Sequence, residues 1–84
     1  MRKIQELADP NSCLNRADDD EMTFVLLGRD ICAPDTIRDW VSRRVNTGKN
    51  KLSDAQIQEA LTCADRMETE RTAYRLREKV GGAE

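Results

Sequence analysis

The sequence predicts a mainly α, single small domain over residues 1–84, in which a helical hairpin, at about residues 31–46 and 54–80, follows a short N-terminal helix and one short strand at about 22–27. Two stretches place apolar residues three or four positions apart, and helix start and stop residues flank them. The content of 38% hydrophobic and 36% charged residues suits a compact domain with a heavily solvated surface. Because so short a chain buries a thin core, we expect oligomerisation to complete the fold.

In the N-terminal segment, residues 1–21, the sequence predicts a short helix followed by an acidic loop. Two apolar side chains three positions apart allow one or two helical turns at its start. Pro10 ends this helix, because the residue before a proline is pushed away from the α conformation. The four consecutive acids at 18–21 require solvent. We therefore expect residues 9–21 to form a loop.

The strand-helix-helix unit, residues 22–84, begins with a short apolar run at 22–27. Thr23, Phe24 and Val25 are strand-forming residues, and Phe24 is predicted to be a core or interface anchor. A strand without a ladder partner is costly to bury, so either the N-terminal segment or the same strand of a second chain is expected to pair with it. The alternative is a helical turn that leads into the next helix.

The first hairpin helix is predicted at about 31–46. Asp30 is a candidate N-cap, Pro34 falls in the first turn where no donor is lost, and Gly48 is a natural stop. One face of this helix carries Ile37, Trp40, Val41, Arg44 and Val45. Trp40 is expected to be a core or interface anchor rather than a platform on which a ligand stacks.

The second hairpin helix is predicted at about 54–80 and is the clearest element. Ser53 and Gln56 have the spacing of a capping box, and Gly81-Gly82 ends the helix. Its first half has an apolar stripe made of Ile57, Ala60, Leu61, Ala64 and Met67. Because the second half is mostly charged, we expect it to project into solvent or to pack on a partner.

The residue types give no catalytic site, metal site or cofactor site. The chain has no histidine, which is the commonest general base, so we expect no enzymatic activity. Cys13, Cys32 and Cys63 are odd in number and widely spaced, which disfavours a disulfide framework and a zinc site. Cys32 and Cys63 are expected to be small buried side chains. The acidic run at 18–21 lacks the spaced ligands and glycine of a calcium loop.

Charge and hydropathy exclude some locations and partners. The net charge of −2 is far from that of a dedicated nucleic-acid binder, which makes nucleic acid a less favoured partner. Residues 1–42 carry five basic and nine acidic side chains, whereas residues 43–84 carry nine and seven. The longest apolar run is too short to cross a membrane, and no apolar stretch of a secretory signal follows the N-terminus. With the cysteine pattern, these features predict a cytoplasmic protein without a membrane partner.

A basic cluster lies at the turn between the two hairpin helices. It consists of Arg43, Arg44, Lys49, Asn50 and Lys51. No acid interrupts it, and it borders the N-terminus of the second helix, where free backbone N–H groups favour anions. These residues are the candidate anion or phosphate site. The alternative is a helix C-terminus carrying cations, followed by an ordinary polar loop. A DNA-binding helix-turn-helix is less favoured, because the connection is long and acids open the second helix.

The run from Phe24 to Asp30, with Ala33-Pro34, Ile37-Arg38 and Trp40 after it, resembles a group of small phage- and prophage-encoded accessory proteins. The similarity continues over residues 55–68 and covers about half of the chain. The resemblance implies a protein that acts in the cytoplasm of a bacterial host by binding. It brings no established site residues. Proteins of this setting include inhibitors of host immune complexes and oligomeric sponges that hold cyclic nucleotide signals.

The leading hypothesis is a homo-oligomeric counter-defence protein that sequesters an anionic nucleotide at the basic turn. The first alternative is a protein–protein inhibitor or structural accessory protein that contacts a host protein through its long C-terminal helix. The second alternative is a nucleic-acid-binding regulator.

Overall fold

A computed structural model describes the backbone of residues 1–80 and the side chains of residues 1–71. The described part contains four helices, α1 (Lys3–Ala8), α2 (Cys13–Arg16), α3 (Ala33–Asn46) and α4 (Ala55–Val80). The prediction of a mainly α chain with a helical hairpin is confirmed. The predicted helix stop at Gly81-Gly82 lies outside the described residues.

Helix α3 begins and ends close to the predicted positions. Pro34 is buried at the second residue of the helix, where its missing N–H is not needed. Asp30 is not the N-cap: its Oδ1 accepts from the backbone N of Cys32 at 2.9 Å, and Cys32 itself precedes the helix. Gly48 has a φ of 77°, a conformation that a side chain disfavours, so it ends α3 as predicted.

The start of α4 differs from the predicted capping box. Ser53 makes no capping hydrogen bond within the described part of the chain. Asp54 acts instead, since its Oδ2 accepts from the backbone N of Lys51 at 3.0 Å. Gln56 is occupied elsewhere, because its Oε1 accepts from Asn50 at 3.3 Å. Asp54 therefore stabilises the turn before α4, where Ser53 was predicted to make the capping hydrogen bond.

Helix α2 lies within the predicted loop, so that part of the prediction is wrong. The buried Ser12 caps α2, as its Oγ accepts from the backbone N of Asn15 at 3.2 Å and donates to Glu6 O at 2.7 Å. The Asn15 amide also donates to the carbonyls of Glu6, Leu7 and Asp9 at 2.9–3.0 Å. These bonds satisfy the free carbonyls at the end of α1 and join the two short helices.

The core lies between α3 and α4 and is small. Val41, Ile57 and Ala60 form its centre, and partly buried apolar side chains surround them: Ile37, Val45 and Leu61. The two predicted anchors are outside this core, because Trp40 is 39% exposed and Phe24 is 85% exposed. Neither is therefore a core anchor, and the alternative of an interface anchor stays a prediction.

The cysteines also differ from the prediction of buried side chains. Cys32 is exposed and Cys63 is half-buried. All three cysteines, with Cys13, are free thiols.

The predicted strand at 22–27 is not formed in the single chain. Residues 21–27 have no helix, turn or bend, and no strand occurs within residues 1–80. The backbone groups of residues 22–26 make no hydrogen bond to other backbone in the described part of the chain. The N-terminal segment, one of the two expected partners, is folded into α1 and α2 and offers no ladder.

The chain is less compact than a globular domain of the same length. Its Cα radius of gyration is 15.0 Å, whereas a compact domain of this length has about 12 Å. An open arrangement leaves apolar side chains at the surface. Within residues 1–80, no helix is both long and apolar enough to cross a bilayer.

Candidate functional site

A run of exposed apolar side chains lies at residues 22–27, which we call the apolar segment. Met22 is 96% exposed and Phe24 is 85% exposed. Val25 and Leu27 are also more than half exposed, while Leu26 is half-buried. Burial of one large apolar side chain is worth about 1.5–3 kcal/mol, so contact of these side chains with another apolar surface is favourable. Large exposed apolar patches mark interaction sites in soluble proteins.

The C-terminal end of the apolar segment is attached to α4. Gly28 lies against Met67, whose Cγ would be 3.6 Å from a Cβ at this position. Three residues later, the carbonyl of Ile31 accepts a hydrogen bond from Arg71 Nη1 at 3.3 Å. A turn between Leu27 and Asp30, closed by a 3.0 Å backbone hydrogen bond, separates the apolar segment from α3. The apolar segment is therefore fixed at one end.

The basic turn is partly neutralised by residues of the same chain. Arg43 Nε donates to Asp39 Oδ2 at 2.9 Å, and this carboxylate raises the pKa of Arg43. Arg44 Nε donates to Asn50 Oδ1 at 2.7 Å, and its guanidinium lies 5.5 Å from the centre of the Trp40 ring. Both arginines thus have partners within the hairpin.

Asn50 connects the two helices of the hairpin rather than facing an open site. Its Nδ2 donates to Asp54 Oδ2 at 2.9 Å, while its Oδ1 receives the bond from Arg44. The amide of Asn50, followed by the backbone N–H of Lys51, lowers the pKa of Asp54 and keeps this acid charged. The candidate anion site therefore has a carboxylate at its edge.

Two lysines remain available at the basic turn. The side chains of Lys49 and Lys51 are exposed and make no hydrogen bond or ion pair within the described residues. The structure thus brings all five predicted residues to one turn, but it engages Arg43, Arg44 and Asn50 in contacts within the chain. The anion site stays a prediction that depends on the two lysines.

No family model, curated protein or solved structure matches this chain. The resemblance to small phage proteins stays a prediction for this reason. The functional argument depends on the chain's own residues.

An ion-pair cluster that the sequence analysis did not identify joins α3 to α4. Arg38 Nη2 donates to Asp65 and to Glu68, both at 2.8 Å, and its Nη1 lies 3.3 Å from Asp35. Arg38 lowers the pKa of Glu68. The carboxylates of Glu68, Asp65 and Asp35 raise the pKa of the Arg38 guanidinium. The three-residue spacing of Asp65 and Glu68 places both on one helix face, which is a pattern that the sequence does contain.

A second ion pair attaches the N-terminal helices to α4. Arg2 Nη1 donates to Glu70 Oε1 at 2.8 Å, and its Nη2 also contacts this carboxylate. The pair lowers the pKa of Glu70. Like the Arg38 cluster, it connects helices at the surface.

The described side chains do not form the groupings that hold a metal ion. No group of three or more histidine, cysteine or acidic side chains with metal-binding geometry occurs within residues 1–71. The shifted pKa values of this part of the chain belong to surface pairs of charged and amide groups that connect helices and turns.

Proposed function

We propose that this chain is a non-enzymatic protein-binding module whose contact surface is the apolar segment. One observation carries the proposal: a run of large apolar side chains is exposed on a stretch of backbone that has no ladder partner. Both the side chains and the backbone of the apolar segment are thus available to another polypeptide.

The chemistry of the apolar segment fits recognition by strand addition. In this mode the free N–H and C=O groups give affinity, while alternate side chains give specificity. Phe24 and Val25 point to opposite faces of any strand formed. The apolar segment therefore offers a partner apolar side chains on both faces of the strand. A protein chain supplies the backbone hydrogen bonds that this surface lacks.

The proposal is tested with a photoreactive amino acid at position 24. We expect irradiation to produce a discrete adduct with a protein, because Phe24 lies within the contact surface. An adduct with a different protein must decrease when an excess of unlabelled wild-type chain competes for it, whereas an adduct between two copies is recognised by its mass of two chains. A photoreactive residue at Thr62, an exposed position on α4, is the matched control and is expected to give no such adduct. Equal labelling from both positions would contradict the proposal.

Nucleotide sequestration at the basic turn is a second candidate function. The exposed cations of Lys49 and Lys51, beside the N-terminus of α4, support it. In the setting that the phage resemblance implies, the ligand would be a cyclic nucleotide signal of bacterial defence and the function would be counter-defence. The chain would act in the bacterial cytoplasm as a homo-oligomer.

Thermal unfolding in the presence of cyclic dinucleotides and trinucleotides tests this candidate. A ligand present at about 100 times its Kd adds about 2.7 kcal/mol of stability, which raises the unfolding temperature. We expect the Lys49→Gln/Lys51→Gln variant to lose the increase and a Lys3→Gln variant to keep it. An unchanged unfolding temperature at millimolar nucleotide would rule out sequestration.

A further inference from the structure

We propose that Trp40 and the basic turn form one ligand site, in which the indole ring stacks on a nucleobase while Lys49 and Lys51 hold the phosphate of the same molecule. The inference rests on the second candidate function, nucleotide sequestration, and names the residue that would recognise the base. The occupant is a free nucleotide with one or two phosphate groups.

Trp40 provides the aromatic surface of this site. It is 39% exposed, although it lies on α3 next to Val41 of the core. The guanidinium of Arg44 lies 5.5 Å from the centre of the ring, which is the geometry of a cation–π contact. This contact orients the ring and leaves the exposed part of the side chain open to a ligand. Exposed tryptophan and arginine side chains are the groups on which nucleobases stack in proteins.

Hydrogen bonds connect the indole ring to the two lysines through Arg44. The Nε of Arg44 donates to Asn50 Oδ1 at 2.7 Å. The carbonyl of Arg44 accepts from the backbone N of Lys49 at 3.0 Å and from that of Asn50 at 3.2 Å. Lys49 and Lys51 flank Asn50 in the chain. Because the residue that contacts the ring also holds the turn, the ring and the lysines belong to one surface.

The charges around the turn leave a positive excess. Residues 39–54 carry four cations and two carboxylates, a net charge of +2. One carboxylate, Asp39, is engaged by Arg43. The other, Asp54, lies beside Lys51, whose backbone N donates to its Oδ2 at 3.0 Å. The three cations other than Arg43 therefore face a single carboxylate, and the turn attracts an anion.

The size of this excess indicates a small ligand that has both a base and a phosphate. A net charge of +2 matches one or two phosphate groups, whereas proteins that bind nucleic acid strands neutralise many phosphates along an extended basic surface. The chain as a whole has a net charge of −2, which disfavours a long polyanion. An acidic peptide would use the lysines alone. A nucleotide joins a planar base to a phosphate, so it uses the ring and the lysines together.

Tryptophan fluorescence tests the stacking directly, because Trp40 is the single tryptophan of the chain. We expect cyclic di-AMP to quench the fluorescence of the wild-type chain along a saturable curve. Ribose 5-phosphate has a phosphate and no base, so it is expected to compete with cyclic di-AMP without quenching. Adenosine has a base and no phosphate, so it should quench only at concentrations at least about tenfold higher. Free N-acetyltryptophanamide gives the level of collisional quenching.

Two variants separate the contribution of the lysines from that of the ring. Lys49→Gln/Lys51→Gln keeps Trp40 and is expected to bind cyclic di-AMP at least about tenfold more weakly. Lys3→Gln, a change at an exposed lysine of α1, is the matched control and should bind like wild type. Trp40→Leu, measured by titration calorimetry, is expected to bind about fivefold or more weakly, since it loses the stacking contact.

The outcomes separate this inference from nucleotide sequestration itself. Quenching no greater than that of N-acetyltryptophanamide, or equal quenching in Lys49→Gln/Lys51→Gln and wild type, would overturn the site. If cyclic di-AMP still raises the unfolding temperature of wild type and not that of the lysine variant, sequestration stands and only the role of Trp40 fails. If neither fluorescence nor unfolding temperature changes, both proposals fail. Stronger quenching by single-stranded oligoadenylate at equal phosphate concentration would overturn the free nucleotide as the occupant.

Discussion

Replacement of Ile57 by alanine is expected to lower the free energy of unfolding by about 2–5 kcal/mol, the range for truncation of a fully buried aliphatic side chain. Ile57 has no exposed surface and lies at the centre of the small core with Val41 and Ala60. Since native proteins have a total stability of about 5–15 kcal/mol, this loss is a large part of the free energy of unfolding. Urea denaturation followed by circular dichroism measures the loss.

The matched control is Ile4→Ala, which removes the same atoms from α1. Ile4 is 77% exposed, so its truncation is expected to change the free energy of unfolding by no more than about 0.5 kcal/mol. A similar loss in both variants would mean that the core does not lie between α3 and α4.

Replacement of Arg38 by methionine has the second largest expected effect. The variant keeps the length of the side chain but removes the positive charge between Asp65, Glu68 and Asp35. Three carboxylates then lie near one another without the guanidinium that connects α3 to α4. We expect a lower urea midpoint at neutral pH. Because the side chain of Arg38 is one-third exposed, solvent reduces the effect below that of a buried ion pair.

Acid titration shows whether the loss arises from the ion pair. Arg38 lowers the pKa of Glu68 in the folded chain, so folding favours the charged form of this carboxyl. Its contribution is complete above about pH 4.3, the ordinary value for glutamate, and is lost as the pH falls through the lower folded value. We expect the difference in urea midpoint between wild type and Arg38→Met to decrease below about pH 4.3.

Arg43→Met is the matched control for this prediction. Arg43 pairs with Asp39 on its own helix and does not join two helices through this contact. Its replacement should have a smaller effect at neutral pH, as expected for an exposed pair four residues apart. An equal effect of the two variants would show that Arg38 does not connect the helices energetically.

Local chemistry made the helical hairpin predictable. The spacing of Ile57, Ala60 and Ala64 on one helix face depends only on the periodicity of the helix, and the structure buries all three. Gly48 ends α3 because a positive φ favours glycine over any other residue. Such features act over four residues or fewer, so the linear sequence contains them in full.

The candidate site was predictable in composition and less so in its contacts. The sequence correctly brings Arg43 to Lys51 to one turn, yet it does not show that Asp39 pairs with Arg43 or that Asn50 bonds to Asp54. More than one acid or amide lies within one or two turns of each arginine of the basic turn, and of Asn50, and could bond to it. Their relative distances decide the outcome, and those distances depend on the packing of α3 against α4.

The helical class and the hairpin were predictable from the residues alone, because propensity and periodicity are local. Which side chains are buried depends on how the helices pack, and this packing leaves Phe24 and Trp40 exposed. It also decided the partner of Arg38, which lies on α3 while Asp65 and Glu68 lie on α4. The physical reason is that burial and ion pairing depend on distances between residues far apart in the chain, and only the packed helices fix those distances.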